Sequence, residues 1–128
     1  MATLQELKKY IGYEFSSGAY TGEDYKQFQN KYINYLRSLC KKEGWELVNV
    51  GRNHYCFCAF IKNGEKYLYL SISDVRYSPL EWYNNVLLRT AKHEKDYHGG
   101  YNSFICLENL IVVAKAKFER WIYETKLA

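Results

Sequence analysis

Several things are scarce in this chain, and each shortage excludes a class of protein. There is one proline in 128 residues and no Ser/Gly-rich stretch, so nothing serves as a linker. The length then reads as one domain of ordinary size. The longest apolar run, Leu110 to Ala114, is far too short to span a bilayer. Met1 to Gly12 has no apolar run and carries Lys8 and Lys9, unlike a secretion signal. The expected location is therefore cytoplasmic, away from any membrane, with Cys40, Cys56, Cys58 and Cys106 as reduced thiols. Concentrated charge is lacking too. The net +4 divides into +1 over residues 1–51, +2 over 52–102 and +1 over 103–128. Nucleic-acid binders usually gather their Lys and Arg on one face. Internal repeats and phosphate-loop or dinucleotide fingerprints are missing as well.

Tyrosine is what the chain has in excess: 14 residues, which with 3 Trp and 6 Phe make it 18% aromatic. With 48% hydrophobic and 25% charged residues it has the composition of a folded domain.

Hydrophobic spacing predicts the elements. Thr3 with Glu6 forms a capping-box pattern before Leu4, Leu7 and Ile11, so a first helix is expected over 4–11. A second starts at Thr21, repeats Tyr25, Phe28, Tyr32, Leu36 and Leu39 on one stripe, and stops at Gly44. Strands follow over 45–50, 55–62 and 66–73, the last two flanking the hairpin signal Asn63-Gly64. With those two residues as the turn, Lys62 faces Glu65 and Phe60 faces Tyr67. One face then carries Tyr55, Phe57, Ala59, Ile61, Leu68, Leu70 and Ile72 as core. The other carries His54, Cys56, Cys58, Phe60, Tyr67, Tyr69 and Ser71, a semi-polar aromatic surface fit for another element or a partner. A fourth strand centres on Val86-Leu87-Leu88. The polar, aperiodic 92–102 reads as a loop. A final helix, capped near Asn102 or Ser103, presents Leu107, Leu110, Ile111, Ala114, Phe118, Trp121, Ile122 and Thr125. The expected class is α+β in the order ααββββα, a four-stranded antiparallel sheet with helices packed on one face.

Candidate chemistry is sparse. His54, Cys56 and Cys58 are zinc-ligand types on one strand face, but i, i+2 side chains in a line do not converge on one ion. No metal or cofactor is expected. No local signature joins a cysteine to His54, His93 or His98, so no nucleophilic site is expected either. Residues 73–102 are more suggestive, gathering Asp74, Arg76, Arg89, Lys92, His93, Lys95, Asp96 and His98 ahead of Gly99-Gly100. Amides of a glycine loop with Arg89 or Lys92 beside them suit an anion. A solvated loop in which Arg76 or Arg89 pairs with Asp74 or Asp96 accounts for the same residues.

The tyrosines divide. Tyr25, Tyr32 and Tyr55 fall on core stripes. Tyr10, Tyr13, Tyr20, Tyr35, Tyr67, Tyr69, Tyr77, Tyr83, Tyr97, Tyr101 and Tyr123 do not. Tyrosine off the core favours a contact surface, since it offers large area at little entropic cost. On the last helix, Lys115, Lys117, Arg120 and Lys126 alternate with Glu108, Glu119 and Glu124, the pattern of a solvated face.

The runs Ser73-Asp74-Val75-Arg76, Trp82-Tyr83-Asn84-Asn85, Arg89-Thr90-Ala91-Lys92 and Lys95 to Asn102 resemble a segment of small, mostly uncharacterised proteins. These are carried by phages and conjugative elements of gut Firmicutes, and some neighbours are similar to anti-CRISPR and other anti-defence factors. The resemblance covers about thirty residues and supplies no active site. It implies a compact, non-catalytic protein that binds and blocks a host machine. The expected partner is a host defence nuclease or its nucleoprotein complex. The expected contact residues are Tyr67, Tyr69, Arg76, Arg89, Lys92, His93, Tyr97, Gly99, Gly100 and Tyr101. Two other readings stay open: a nucleic-acid-binding module with basic side chains and stacking tyrosines, and an enzyme using the Arg/His/Asp loop over 89–102.

Overall fold

The structure, a computed structural model, describes residues 3–15, 22–52, 57–73 and 82–127, the last two of these without their side chains. Helix α1 covers Leu4–Lys8 and α2 Glu23–Lys42. Strands β1 (Glu46–Gly51), β2 (Phe57–Asn63), β3 (Lys66–Ile72), β4 (Val86–Ala91) and β5 (Ser103–Ile105) follow. A 3-10 turn at Leu107–Asn109 leads into α3 (Leu110–Glu119) and α4 (Trp121–Leu127). The strands form one antiparallel meander in the order β1-β2-β3-β4-β5. The α+β class stands. The sheet has five strands where four were expected, and the closing helical segment is two helices. Among the described residues no helix is long and apolar enough to cross a membrane.

The local signals mostly work as physics says they should. The Thr3 hydroxyl accepts the Glu6 amide at 3.2 Å and caps α1. That helix ends at Lys8, not Ile11, and continues only as turns in which the Tyr10 and Ile11 amides reach back three residues. In α2 the predicted stripe is buried: Tyr25, Phe28, Tyr32 and Leu36 lose all solvent contact. The expected start at Thr21 lies outside the described residues.

The hairpin register differs from expectation. Asn63 stays paired with Lys66, Phe60 faces Tyr69 and Lys62 faces Tyr67, so the turn is Gly64-Glu65. Gly64 supplies the one positive φ (61°), as a turn with glycine at its first central position requires. Moving the turn by one residue moves the pairing by two, and parity keeps the described side chains on their predicted faces; His54, Tyr55 and Cys56 lie outside the described residues.

The helix-covered face holds the main core. Phe57, Ala59, Ile61, Leu68, Leu70, Ile72, Val86 and Leu88 pack against α2 and against Leu110, Ala114 and Phe118 of α3. At its margin the Glu108 carboxylate takes the Trp82 indole N–H at 2.6 Å and Lys8 Nζ at 2.7 Å. Burial alone would push this carboxyl up, but the hydrogen bonds from Lys8 and Trp82 outweigh it and hold it below its usual range.

The C-terminal segment corrects three expectations. Ser103 does not cap a helix: Ser103–Ile105 instead pairs with Leu88, Leu87 and Val86 on the open edge of β4. The helix breaks at Arg120, and of the stripe beyond it Trp121 still packs on the core and Thr125 is buried, while Ile122 leaves it. Trp121 turns its indole N–H to the carbonyls of Tyr67 (3.0 Å) and Ala91 (3.1 Å), and Ile122 points to solvent. Lys117 and Glu124, expected on a solvated face, are buried together. Lys117 Nζ lies 3.5 Å from Glu124 and donates to the Tyr101 carbonyl at 3.0 Å.

Candidate functional site

The second sheet face carries a smaller cluster of Cys58, Phe60, Tyr69 and Ala91, with Val48, Tyr67 and Leu87 packed beside it. The chain itself covers it. Loop 92–102 folds back so that the Tyr97 ring stands edge-on to Phe60 (5.3 Å between centroids) and to Tyr69 (5.7 Å). Such edge-to-face geometry is the favoured one for aromatic rings.

Polar contacts fix the loop at both ends of that ring. The Arg89 guanidinium lies 4.5 Å above the Tyr69 ring and donates to the Tyr97 carbonyl. The Asn49 side-chain amide donates to the Glu94 carbonyl at 2.6 Å and to the Tyr97 hydroxyl at 3.2 Å. Asn49 reaches them because β1 slips register between Val48 and Gly51, with Asn49 at φ 51°. A bulge re-aims a side chain in this way, and asparagine tolerates the left-handed region.

Within the loop, the Asp96 carboxylate accepts the Lys92 amide at 2.9 Å and the His98 amide at 3.2 Å. His93 Nδ1 accepts the Lys95 amide at 3.1 Å. Burial pushes Asp96 up, but the two amides, with His93 and Lys92 nearby, outweigh it and hold the carboxyl below its ordinary value. Gly100 (φ 79°) runs against the backbone of Thr90, where any Cβ would collide.

The expected site residues therefore separate. Tyr69 is only 7% exposed, its ring taken up by Tyr97 and Arg89. Tyr67 and Arg89 are half-buried. Gly99 and Gly100 pack on Asp96 and Thr90. Lys92, His93, Tyr97 and Tyr101 reach solvent on one loop. Arg76, with Asp74, lies outside the described residues. Of the pairings of Arg76 or Arg89 with Asp74 or Asp96, the one between described residues is not formed: Asp96 is held by amides and Arg89 by a ring and a carbonyl. An anion at this loop would meet the Asp96 carboxylate on the same amides.

Of the suspected metal row, His54 and Cys56 lie outside the described residues and Cys58 is buried in the second cluster. Among the described residues no three His, Cys, Asp or Glu side chains gather as a metal site. Burial pushes the Cys40 thiol up to about 12, which leaves it protonated and inert.

Sequence reasoning missed two participants, Asn49 and Phe104. The Val-Gly that follows Asn49 was the available sign of a bulge. Phe104 stands beside Leu87 on β5 and is 60% exposed. No protein family matches the chain, nor does any curated protein or solved structure.

Proposed function

We propose that the chain is a small non-enzymatic binding protein of phage or mobile-element origin. It inhibits a host defence nuclease by stoichiometric contact, as anti-CRISPR factors do. The observation that carries the reading is the braced loop 92–102, which presents Tyr97 and Tyr101 beside Lys92 and His93. A loop already held by Asn49, Arg89 and Asp96 loses little conformational entropy on binding, and tyrosine anchors such interfaces. The resemblance of residues 73–102 to segments of mobile-element proteins supports the kind of partner. Asp96, His93 and Arg89 hold the loop's own turns, which favours contact over catalysis. The involvement of Arg89 and Tyr69 inside the fold likewise favours protein contact over base stacking, which needs open rings and free cations.

The test is a titration of the purified protein against purified RNA-guided DNA nucleases. Cleavage should fall to background near one molar equivalent. Tyr97→Ala with Tyr101→Ala should weaken inhibition about tenfold or more. Full inhibition at a small fraction of an equivalent would point to an enzyme. Salt-sensitive binding to the DNA alone would point to a nucleic-acid module. Failure to complex with any nuclease tested would remove the reading.

A further inference from the structure

β5 ends the sheet, and among the described residues no strand pairs with its outer edge. Free edges recruit other strands unless something blunts them. The opposite edge is blunted: β1 carries the slip between Val48 and Gly51 and exposes Glu46 and Asn49. β5 is blunted by its shortness alone. Its three residues are Ser103, Phe104 and Ile105, with no charge, no proline and no bulge.

A groove of about 250 Å³ runs beside this edge, lined by Ser103 of β5, by Val112, Val113 and Ala116 of α3, and by Arg120. Val112 is 72% exposed there and, with Val113 and Ala116, makes the groove wall apolar. Lys117 and Glu124 in the wall satisfy each other and the Tyr101 carbonyl. Arg120 differs. Among the described residues it makes no ion pair, and its guanidinium only overlies the Tyr123 ring at 5.8 Å.

We infer that the outer edge of β5 and this groove together dock an extended segment of a partner protein, one with alternating apolar side chains and an acidic residue. Added as a sixth strand, such a segment takes its main-chain bonds from β5. Ser103 and Ile105 pair with Leu88 and Val86 of the core face, so they mark the helix side. Every second side chain of the added strand then falls toward Val112, Val113 and Ala116. The carboxylate meets Arg120, the unpaired charge at the rim. The same charge, with the net +4 of the chain, opposes a second copy of this protein as occupant. The inference rests on the reading of the chain as a binding protein but not on the partner's being a nuclease.

The probe is a blocked peptide of roughly six residues, a usual strand length, alternating valine and threonine and ending in glutamate. It is titrated to millimolar concentration into the ¹⁵N-labelled full chain. Amide shifts should concentrate at 103–105 and 112–120. Ala116→Trp, on an exposed helix position, fills the groove and should abolish them. Arg120→Glu, or lysine in place of the peptide's glutamate, should weaken binding roughly fivefold. N-methylation of alternate peptide amides should remove binding. Shifts spread elsewhere, or none at millimolar peptide, overturn the inference. Concentration-dependent shifts at 103–105 without peptide would assign the edge to a second copy and overturn it too. A nuclease inhibited by a protein whose amides the peptide does not shift would sink this docking mode while leaving the proposed function standing.

Discussion

One face of the sheet is closed by helices that bury Phe57, Ile61, Leu68 and Leu70 under apolar side chains of α2 and α3. The other is closed by a loop that contributes one ring, Tyr97, and a handful of polar braces. Both Phe57 and Phe60 are fully buried, yet their covers differ in kind. Helical cover stabilises through area and is cooperative with the whole fold. Loop cover depends on a few polar contacts of Asn49, Arg89 and Asp96. The difference separates labour: the first face supplies stability, and the second holds a recognition loop in shape.

The comparison breaks most directly if the two phenylalanines are exchanged for alanine. Phe57→Ala should cost about 3–5 kcal/mol, because the helices above it cannot collapse into the void. Phe60→Ala should fall at or below the lower end of that range, since the loop above it can settle inward. Denaturant midpoints of the two variants measure the gap. Equal losses would mean that the loop is as integral to the fold as the helices.

The buried pair Lys117 and Glu124 joins the two covers, because Lys117 stands on α3 yet donates to Tyr101 of the loop. Removing one partner strands the other charge away from water. Glu124→Gln should therefore cost about 3 kcal/mol. The double change Lys117→Met with Glu124→Leu, which strands nothing charged, should recover most of it. A double variant as unstable as the single would show that the Tyr101 contact, not the desolvated charge, governs the site.

The third contrast is local against global. Tyr97→Ala removes an edge-to-face ring and a hydroxyl bond from a side chain already 41% exposed, a loss of about 1–2 kcal/mol. Amide exchange should rise over 93–100 and stay unchanged in α2 and β3. Uniform acceleration across the chain would contradict the separation of the faces.

How much of this the sequence disclosed follows from how local each signal is. Tyr25, Phe28, Tyr32 and Leu36 recur at helical spacing, and the helix they predicted is there. The faces of β2 and β3 survived an error of two in register, because facing depends on parity alone. β5 escaped notice because three residues are too few to show alternation, and its existence depends on the open edge of β4. Lys117 read as solvated because its partner stands beyond a helix break that no proline or glycine marks. Tyr69 was placed on the correct face, but an aperiodic loop gives no hint that it will fold back as a cover. Long-range closure was the part not written locally.

The smallest effect expected is in acid, and it probes the loop alone. Asp96 is held below its ordinary carboxyl value, so the native state binds its proton less readily than the unfolded chain does. The bracing by Asp96 is therefore complete above that ordinary value and is lost as pH falls through the lower, folded one. Protonation weakens the bonds from the Lys92 and His98 amides, and their NMR shifts should begin to move below about pH 4, where carboxylates titrate. Exchange over 92–100 should rise in step. Asp96→Asn keeps an acceptor but no charge, so its loop should be somewhat looser at neutral pH and indifferent to acid. Glu108 titrates in the same direction but braces the helix-covered side, through Lys8 and Trp82. An Asp96→Asn loop that still opens at the same acid midpoint would place the acid-sensitive brace at that margin instead, and the two faces would then be coupled after all.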